Sequence, residues 1–138
     1  MPENNRINHA FHNEAVCNYL DKRPEFADWV ITTAFYSALH FTQYKLFPIK
    51  LIHETGKYTF VNLESYYQYN RSFKRQYSFS KHKLLAELIK EHLPQIAPDY
   101  IYLKDISWTA RYVNYKYSSD ISNKAKECLK KIKEYCTL

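Results

Sequence analysis

The sequence predicts an all-α protein, an up-and-down bundle of four or five helices with an aromatic-rich insert between helices two and three. Three observations lead to this prediction. Apolar residues recur at spacings of three and four along most of the chain, which is the period of a helix with one buried face. One glycine and five prolines in 138 residues leave little material for the tight turns of a β-sandwich or barrel. Most predicted helices are joined by short connections, which place successive helices side by side and antiparallel.

The first two helices are separated by a proline. An amphipathic first helix is predicted over about residues 7–22. Its predicted inward side is formed by Phe11, Ala15, Val16, Tyr19 and Leu20. Pro24 suits the first turn of the second helix, because its missing N–H would have no partner there, and this helix extends to about Phe47. Two adjacent apolar stripes cover it: Val30, Ala34, Ala38 and Phe41, and Ile31, Phe35, Leu39 and Thr42. The second helix is therefore predicted to be the centre of the bundle.

Three further helices follow the insert. Ser80 is a candidate N-cap for a third helix that stops at Pro94 and turns Leu84, Leu85, Leu88, Ile89 and Leu93 inward. The fourth helix begins near Pro98, extends to about Tyr112 and turns Leu103, Ile106, Ala110 and Val113 inward. The last helix covers about residues 122–135, with Ala125, Cys128, Leu129, Ile132 and Cys136 on its buried side.

The insert, residues 48–79, is the least regular part of the chain. Asn62 is a candidate N-cap for a short helix from Leu63 to about Phe73. A long loop without structure is uncommon in a small domain unless it is functional, so part of the insert is expected to be ordered. Its rings are interleaved with Arg71, Lys74 and Arg75, a pattern that suits single-stranded nucleic acid and also suits a protein interface.

The composition is that of one domain, predicted to span residues 1–138. Apolar residues make up 46% of the chain and charged residues 25%, and the formal net charge is +6. A basic surface raises the local concentration of anions, so this charge favours phosphates or acidic partners. Many basic domains bind no particular anion, and the charge alone does not exclude that interpretation.

The cysteines and the start of the chain favour a cytoplasmic protein. Cys17, Cys128 and Cys136 are odd in number and lack CxxC spacing, which argues for buried thiols rather than disulfides or a zinc knuckle. The polar start MPENNRINH has no secretory signal, and no apolar run is long enough to span a bilayer. No histidine pair has zinc-ligand spacing together with a third ligand. We therefore expect no metal, no cofactor and no membrane partner.

Four segments of the chain follow one another in a recognisable order. The first is DWVITTAFYSALH, Asp28–His40, and it is followed by Ser80–His82, the APDY of Ala97–Tyr100, and Leu103–Tyr112. The first segment resembles the DWAVTAAFYAALH block of bacterial stand-alone proteins of the HEPN-domain family, the nucleotide-binding domain named for higher eukaryotes and prokaryotes. The other three resemble later segments of that family. Together they cover about residues 10–136 apart from the insert.

The resemblance implies an HEPN-like helical bundle that is often a homodimer. The family includes RNA-cleaving toxins, phage-defence ribonucleases and partners of nucleotidyltransferases, so the implied partners are RNA or a nucleotide and a nucleotidyltransferase-type protein. In the nuclease branches an Arg is followed a few residues later by a His at the dimer cleft. Arg111 matches this Arg, whereas Tyr115, Lys116 and Tyr117 stand where the His would be.

The missing His changes the expected chemistry. A neutral imidazole accepts a proton from a ribose 2′-hydroxyl near pH 7, whereas Tyr and Lys have ordinary pKa values near 10 and are poor bases. Cleavage by the family route is therefore not expected. Arg111 remains able to clamp a phosphate, with Tyr112, Tyr115 and Tyr117 as candidate rings for base stacking and Lys116 as an added charge.

Each candidate also has a purely structural interpretation. Arg111 fits a salt bridge to Asp28 or Asp105. His40, on the apolar second helix, fits a hydrogen-bonded core histidine. His82 lies in the first turn of its helix, where the helix dipole disfavours its cation, and it makes either a local contact or one with Arg111.

Aromatic residues at helical spacing are more often packed than bound to a ligand. Trp29, Tyr36 and Trp108 are accordingly predicted to serve core packing or a dimer seam.

Two functions remain as hypotheses. The first is a binding module for a nucleotide, RNA or partner protein that uses Arg111 and the insert. The second is a ribonuclease of toxin–antitoxin or phage-defence type, in which Arg111 holds the scissile phosphate and His82, His40 or Tyr115 moves the proton.

Overall fold

A computed structural model of the chain describes residues 2–53, 56–74, 80–117 and 119–138, and within these ranges the side chains of 2–4, 52–53 and 73–74 are not described. The elements follow in the order α1 Pro2–Leu20, α2 Ala27–Leu46, β1 Ile49–His53, β2 Gly56–Phe60, α3 Leu63–Tyr69, α4 Lys81–His92, α5 Ala97–Tyr112 and α6 Ser119–Cys136. The described chain is mostly helical, which confirms the predicted all-α class. The strand pair is not among the predicted elements.

α2 is the centre of the helical packing, as predicted. It packs against α1, α5 and α6 and also touches α4. All eight residues of its two apolar stripes are buried. Pro24 opens a 3₁₀ turn, Pro24–Phe26, that leads directly into α2. The proline therefore initiates this segment, since a missing N–H costs nothing in a first turn.

The inward face of α1 differs from the prediction. Phe11 and Tyr19 are 43% and 71% exposed, whereas Ala10 and Cys17 are fully buried. The small side chains bring the two helices close enough for the Ser37 hydroxyl of α2 to donate a hydrogen bond to the Ala10 carbonyl at 2.7 Å. Close packing of α1 on α2 therefore requires small residues such as Ala10 and Cys17 at the contact. Phe11 and Tyr19, which belong to the predicted inward face, lie at the surface.

α4, α5 and α6 bury most of their predicted faces. Ser80 accepts a hydrogen bond from the Lys83 N–H at 3.1 Å and is the N-cap of α4. Every predicted inward residue of α4 and α6 is buried. On α5, Leu103 and Ala110 are buried and Ile106 is half-buried, but Val113 follows the end of the helix and is 66% exposed. The prediction for Val113 was wrong because the helical period stops before it reaches that residue.

The insert contains an antiparallel β-hairpin followed by a short helix. β1 and β2 pair with Ile49 opposite Phe60, and Gly56 begins β2 with a φ of 133° that L side chains rarely adopt. The Asn62 side chain accepts a hydrogen bond from the Ser65 N–H at 2.8 Å, so the predicted cap of α3 is confirmed. A π-helical turn, Asn70–Lys74, continues α3 to one residue beyond the predicted end near Phe73.

The rings of the insert pack mainly on one another. Phe60 lies 5.2 Å from both Tyr66 and Tyr69, and Tyr69 lies 5.2 Å from Tyr58, between ring centroids. Arg6 of α1 ties this cluster to the helices, because its guanidinium donates to the Val61 carbonyl at 2.6 Å. The rings of the insert therefore extend the hydrophobic core of the helices, because Phe60 and Tyr66 belong to that core and Tyr58 and Tyr69 pack against it.

Candidate functional site

Arg111 lies half-buried in the last turn of α5. Its Nε donates to the Ser107 carbonyl at 3.3 Å, and its Nη1 donates to the Tyr36 hydroxyl at 2.5 Å. The ring centroids of Phe35, Tyr36 and Tyr112 lie 6.0, 5.4 and 5.1 Å from its guanidinium carbon. The guanidinium is thus fixed in position by neutral groups, and among the described residues its Nη2 makes no hydrogen bond.

The structural interpretation of Arg111 as one half of a salt bridge is wrong for the described part of the chain. Asp105 pairs with Lys104 at 3.6 Å, and Asp28 is in no ion pair there. An arginine that is held in place but has no carboxylate partner keeps its charge available for an anion.

Two clefts share Arg111 and no other lining residue. The first, which we name the Asp28 cleft, has a volume of about 220 Å³ and is lined by Asp28, Trp29, Thr32, Tyr112 and Tyr115 beside Arg111. The second, the His82 cleft, has a volume of about 310 Å³ and is lined by Phe35, Ser80, His82, Lys104 and Trp108 beside Arg111. Asp105 also lines the His82 cleft. Arg111 therefore stands at the border of two hollows with different chemistry.

The Asp28 cleft carries rings that are open to solvent. Trp29 is 53% exposed, Tyr112 is 67% exposed and Tyr115 is 62% exposed. Trp108, on the other cleft, is 55% exposed and lies 5.6 Å from Tyr112 between ring centroids. The prediction that the two tryptophans pack in the core of the chain was wrong, and the alternative of a dimer seam stays a prediction.

The His82 cleft brings a histidine and Arg111 to one place. The His82 ring centroid lies 6.1 Å from that of Phe35. Although His82 is exposed overall, burial of its ring, followed by the positive charges of Arg111 and Lys104, lowers its pKa below the ordinary value of 6.5. The imidazole is therefore mainly neutral near pH 7 and able to accept a proton.

The other candidates near Arg111 lie outside the two clefts. Lys116 is exposed and its ammonium stands 5.9 Å from the Tyr115 ring centroid. Tyr117 lines a different hollow with Arg23, and its hydroxyl is buried without a hydrogen-bond partner among the described residues. Burial, followed by the negative charge of Asp28, raises the pKa of Tyr117.

His40 lies elsewhere, on the contact between α1 and α2. Its ring is stacked on that of His9 at 5.0 Å between centroids. Burial and the charge of His9 lower its pKa. It lines neither of the Arg111 clefts, so it is not placed to act on a ligand held there.

The basic residues of the insert are only partly described. Arg71 is exposed and its guanidinium carbon lies 5.6 Å from the Tyr67 ring centroid, while Lys81 lies 5.5 Å from the same ring. The backbone of Lys74 is described but its side chain is not, and Arg75 lies outside the described residues. Lys81 also pairs with Glu64, and neither Tyr67 nor Arg71 lines the His82 cleft.

A larger groove, of about 590 Å³, separates α1 from α6. Its charges largely neutralise one another: Lys126 pairs with Asp21, and Lys133 pairs with Glu14 at 3.0 Å. The groove therefore offers neither a concentrated charge nor a set of exposed rings to a ligand. Volume alone does not identify the functional site here.

The remaining chemistry-bearing groups are dispersed. Burial, the leading cause, raises the pKa of Cys17 and Cys128 to about 11 and that of Cys136 to about 12, which makes all three thiols poor nucleophiles. Among the described residues no three His, Cys, Asp or Glu side chains form a metal-binding group. None of the described helices has the length and apolar character needed to cross a membrane.

The sequence predicts Arg111, His82, Tyr112 and Tyr115 as site residues and places Asp28 beside Arg111 only as a salt-bridge partner, whereas Lys104 was not predicted to belong to the site. The available signal was weak: Asp28 begins the DW segment and Lys104 lies in the LKD segment. Which polar residues of separate helices converge depends on how the helices are packed, which periodicity does not reveal. Comparison of the chain with protein-family models, with curated proteins and with solved structures finds no match.

Proposed function

We propose that this chain is an HEPN-like module that binds single-stranded RNA, with Arg111 holding a phosphate and the surrounding rings stacking on bases. The main support for the proposal comes from the contacts and the position of the Arg111 guanidinium. Its guanidinium is hydrogen-bonded to Tyr36 and to the Ser107 carbonyl, has no carboxylate partner among the described residues, and borders two clefts. A fixed, unpaired guanidinium matches the paired oxygens of a phosphodiester.

The rings around Arg111 supply the second half of a single-strand site. Trp29, Tyr112 and Tyr115 on one cleft and Trp108 on the other are all more than half exposed. Stacking on such rings favours unpaired bases, because the faces of bases in a duplex are already covered. The net charge of +6 adds long-range attraction for a polyanion.

Binding is tested by fluorescence anisotropy with labelled single-stranded RNA over a series of salt concentrations. A 2′-O-methylated copy of the RNA keeps every phosphate but cannot be cleaved through the 2′-hydroxyl, so binding is measured without degradation. For Arg111→Ala we expect about tenfold weaker binding or more and a salt slope reduced by about 0.7 per lost phosphate contact.

Arg23→Ala is the matched control, because Arg23 is an exposed arginine that pairs with Glu25 at 2.9 Å and lines neither Arg111 cleft. Its affinity should remain within about twofold of the unmodified chain, since surface ion pairs contribute little. Absence of binding at low salt, or equal binding by the two arginine variants, would overturn the proposal.

The second candidate is RNA cleavage, and the position of His82 favours it. His82 lines a cleft with Arg111 and has a pKa lowered by burial and by that arginine, so its neutral imidazole is suited to take the proton of a 2′-hydroxyl beside the bound phosphate. Tyr115 lines the other cleft, also beside Arg111, but a phenol is a poorer base than a neutral imidazole near pH 7. His82 and Arg111, rather than Tyr115, are therefore the proposed catalytic residues.

Cleavage is tested by incubating unmodified RNA with the chain and separating the products by length. We expect His82→Ala and Arg111→Ala to abolish cleavage, and His12→Ala to keep it, because His12 is an exposed histidine of α1 outside both clefts. Intact RNA after prolonged incubation with the unmodified chain would leave binding alone as the function.

The resemblance also implies a homodimer and a nucleotidyltransferase-type partner. The exposed apolar residues Trp29, Trp108, Tyr112, Val113 and Tyr115 provide a surface suited to such contacts. Light scattering over a dilution series tests the dimer, and a Trp108→Ser variant that stays monomeric at concentrations where the unmodified chain pairs would place the contact on this surface.

A further inference from the structure

Among the described residues, Asp28 is the one acidic residue that lines the Asp28 cleft. It lies in the first turn of α2 and is half-buried. Its backbone carbonyl accepts a hydrogen bond from the Thr32 hydroxyl at 2.8 Å, but among the described residues its carboxylate takes part in no ion pair or hydrogen bond. Its carboxylate oxygens are acceptors only, so a ligand group that meets them must be a donor.

This carboxylate limits what the Asp28 cleft accepts. A second phosphate is disfavoured beside it, because two negative charges at close range repel each other. Within a bound RNA strand, the groups next to the phosphate of Arg111 that can meet this carboxylate are neutral donors, namely the N–H groups of a base or the hydroxyl of a ribose. A nucleobase attached to that phosphate through its ribose has this chemistry.

Among the four RNA bases, guanine fits a carboxylate best. Its Watson–Crick edge presents two adjacent donors, N1–H and the N2 amino group, which match the two oxygens of a carboxylate. Adenine and cytosine present one amino group beside an acceptor nitrogen, and uracil presents one N–H between two carbonyl oxygens. Each of these three would set at least one acceptor against the carboxylate.

The size and the walls of the cleft agree with one base. Its volume of about 220 Å³ lies below the range of about 300–1,000 Å³ that encloses a whole drug-sized ligand. Trp29, Tyr112 and Tyr115 supply exposed rings beside the carboxylate. A base can therefore stack on a ring while its edge meets Asp28.

Building on the proposed function, we propose that the Asp28 cleft is a guanine subsite, in which Asp28 accepts hydrogen bonds from the guanine N1–H and N2 amino group while Arg111 holds the adjoining phosphate. The nucleotide on the other side of that phosphate then lies in the His82 cleft. The ligand is accordingly a single strand that contains guanine.

The test uses labelled, 2′-O-methylated uridine oligomers in which one central base is guanine, adenine, cytosine or uracil. We expect the guanine oligomer to bind about tenfold more tightly than the other three, the discrimination typical of one bidentate base contact. In Asp28→Asn this preference should fall to about twofold or less, with uridine binding unchanged or stronger because a negative charge is removed. Free GMP, used as competitor, distinguishes a guanine in RNA from a free nucleotide.

Asp120→Asn is the matched control, because Asp120 also lies in the first turn of a helix, α6, and lines neither cleft. If Asp28 only stabilised the terminus of α2, Asp28→Asn would lower thermal stability as Asp120→Asn does. It would also weaken the binding of all four oligomers equally, and that result would overturn the subsite. Equal binding of the four oligomers by the unmodified chain would overturn it as well.

The two proposals fail in different ways. No binding of any oligomer, or binding unaffected by Arg111→Ala, removes the proposed function and the guanine subsite together. Binding that depends on Arg111 but ignores the central base removes the subsite alone. GMP is expected to compete with the labelled guanine oligomer if the subsite also binds a free nucleotide. Displacement of that oligomer by GMP, at concentrations similar to those at which the oligomer binds, supports this form of the guanine subsite.

Discussion

The Arg111 guanidinium donates a hydrogen bond to the Tyr36 hydroxyl and so joins the end of α5 to α2. This contact sets the direction in which the guanidinium faces the two clefts. A planar donor with five N–H groups binds a phosphate best when its orientation is fixed before the ligand arrives. The Tyr36 hydroxyl of α2 thus helps to fix the orientation of the Arg111 guanidinium of α5.

Tyr36→Phe should weaken RNA binding by about fivefold, because the guanidinium is no longer held in position and must be ordered when the ligand binds, at a cost of about 1 kcal/mol. The lost hydrogen bond lies within the folded chain, so the free energy of unfolding should also fall by about 1 kcal/mol, although the ring that packs beside the guanidinium is retained. Tyr44→Phe, on the same helix, is the control. Anisotropy titrations that give identical affinities for the two variants would show that Tyr36 does not orient Arg111.

His82 should titrate below its ordinary value of 6.5, because burial and then the charges of Arg111 and Lys104 disfavour its cation. Removal of one of these charges in Arg111→Ala should raise the His82 pKa toward 6.5, whereas Arg23→Ala should leave it unchanged. Imidazole signals followed by NMR over a pH series measure both shifts. A midpoint at or above 6.5 in the unmodified chain would contradict the placement of His82 beside Arg111.

The same shift predicts how the proposed RNA cleavage should depend on pH. Only the neutral imidazole accepts a proton, so the rate should rise as the pH increases through the lowered pKa of His82 and then become level. Initial rates on unmodified RNA over a pH series measure this profile. A rate that still increases well above pH 7 would point to a base other than His82.

Acid should destabilise the contact between α1 and α2 through His40. The pKa of His40 is lowered by burial and then by His9, so between that lowered value and 6.5 the unfolded chain binds more protons than the folded chain. The free energy of unfolding therefore falls as the pH decreases through this window. His40→Gln should reduce the slope of stability against pH in the range below 6.5, measured by thermal denaturation.

Two comparisons distinguish the contribution of His40 from a general loss of stability at low pH. His82 shifts in the same direction, so some slope must remain in His40→Gln. His12→Gln, a change at an exposed histidine of α1, should leave the slope intact. Equal slopes in all three proteins would show that His40 does not carry the effect.

Tyr100 should tolerate loss of its hydroxyl. The residue is fully buried, its hydroxyl has no hydrogen-bond partner among the described residues, and burial raises its pKa. Tyr100→Phe removes a desolvated polar atom, so the free energy of unfolding should stay the same or rise by about 1 kcal/mol. Chemical denaturation measures the change, with Tyr19→Phe at the surface as control. A loss of about 1 kcal/mol or more would mean that the hydroxyl has a partner, such as a buried water.

Much of the fold was predictable because helical periodicity reports burial directly. The two stripes of α2 and the inward faces of α4 and α6 are confirmed residue by residue. The same reasoning failed on α1, where the contact with α2 uses Ala10 and Cys17, and large rings elsewhere on the helix gave a stronger but misleading signal. Hydrophobicity patterns favour large apolar residues, whereas close helix packing requires small ones.

The hairpin was not among the predicted elements, because the contacts that order its rings come from a separate element and not from neighbours in the sequence. Tyr58 and Phe60 pack on Tyr66 and Tyr69, which lie on a different element. The site was predictable in part. Arg111 and its neighbouring tyrosines could be found on one helix and the loop after it, but the arrival of Asp28 and Lys104 at the same guanidinium depends on packing between helices.

The central claim, that Arg111 binds a phosphate between two occupied clefts, is tested most directly by NMR. The chain has two tryptophans, and Trp29 lines the Asp28 cleft while Trp108 lines the His82 cleft, so each indole N–H reports on one cleft. On addition of 2′-O-methylated single-stranded RNA, the Arg111 Nε–H signal and both indole signals should shift together and saturate at one affinity. Unchanged Arg111 and indole signals, with shifts confined to other surfaces such as the groove between α1 and α6, would contradict the claim.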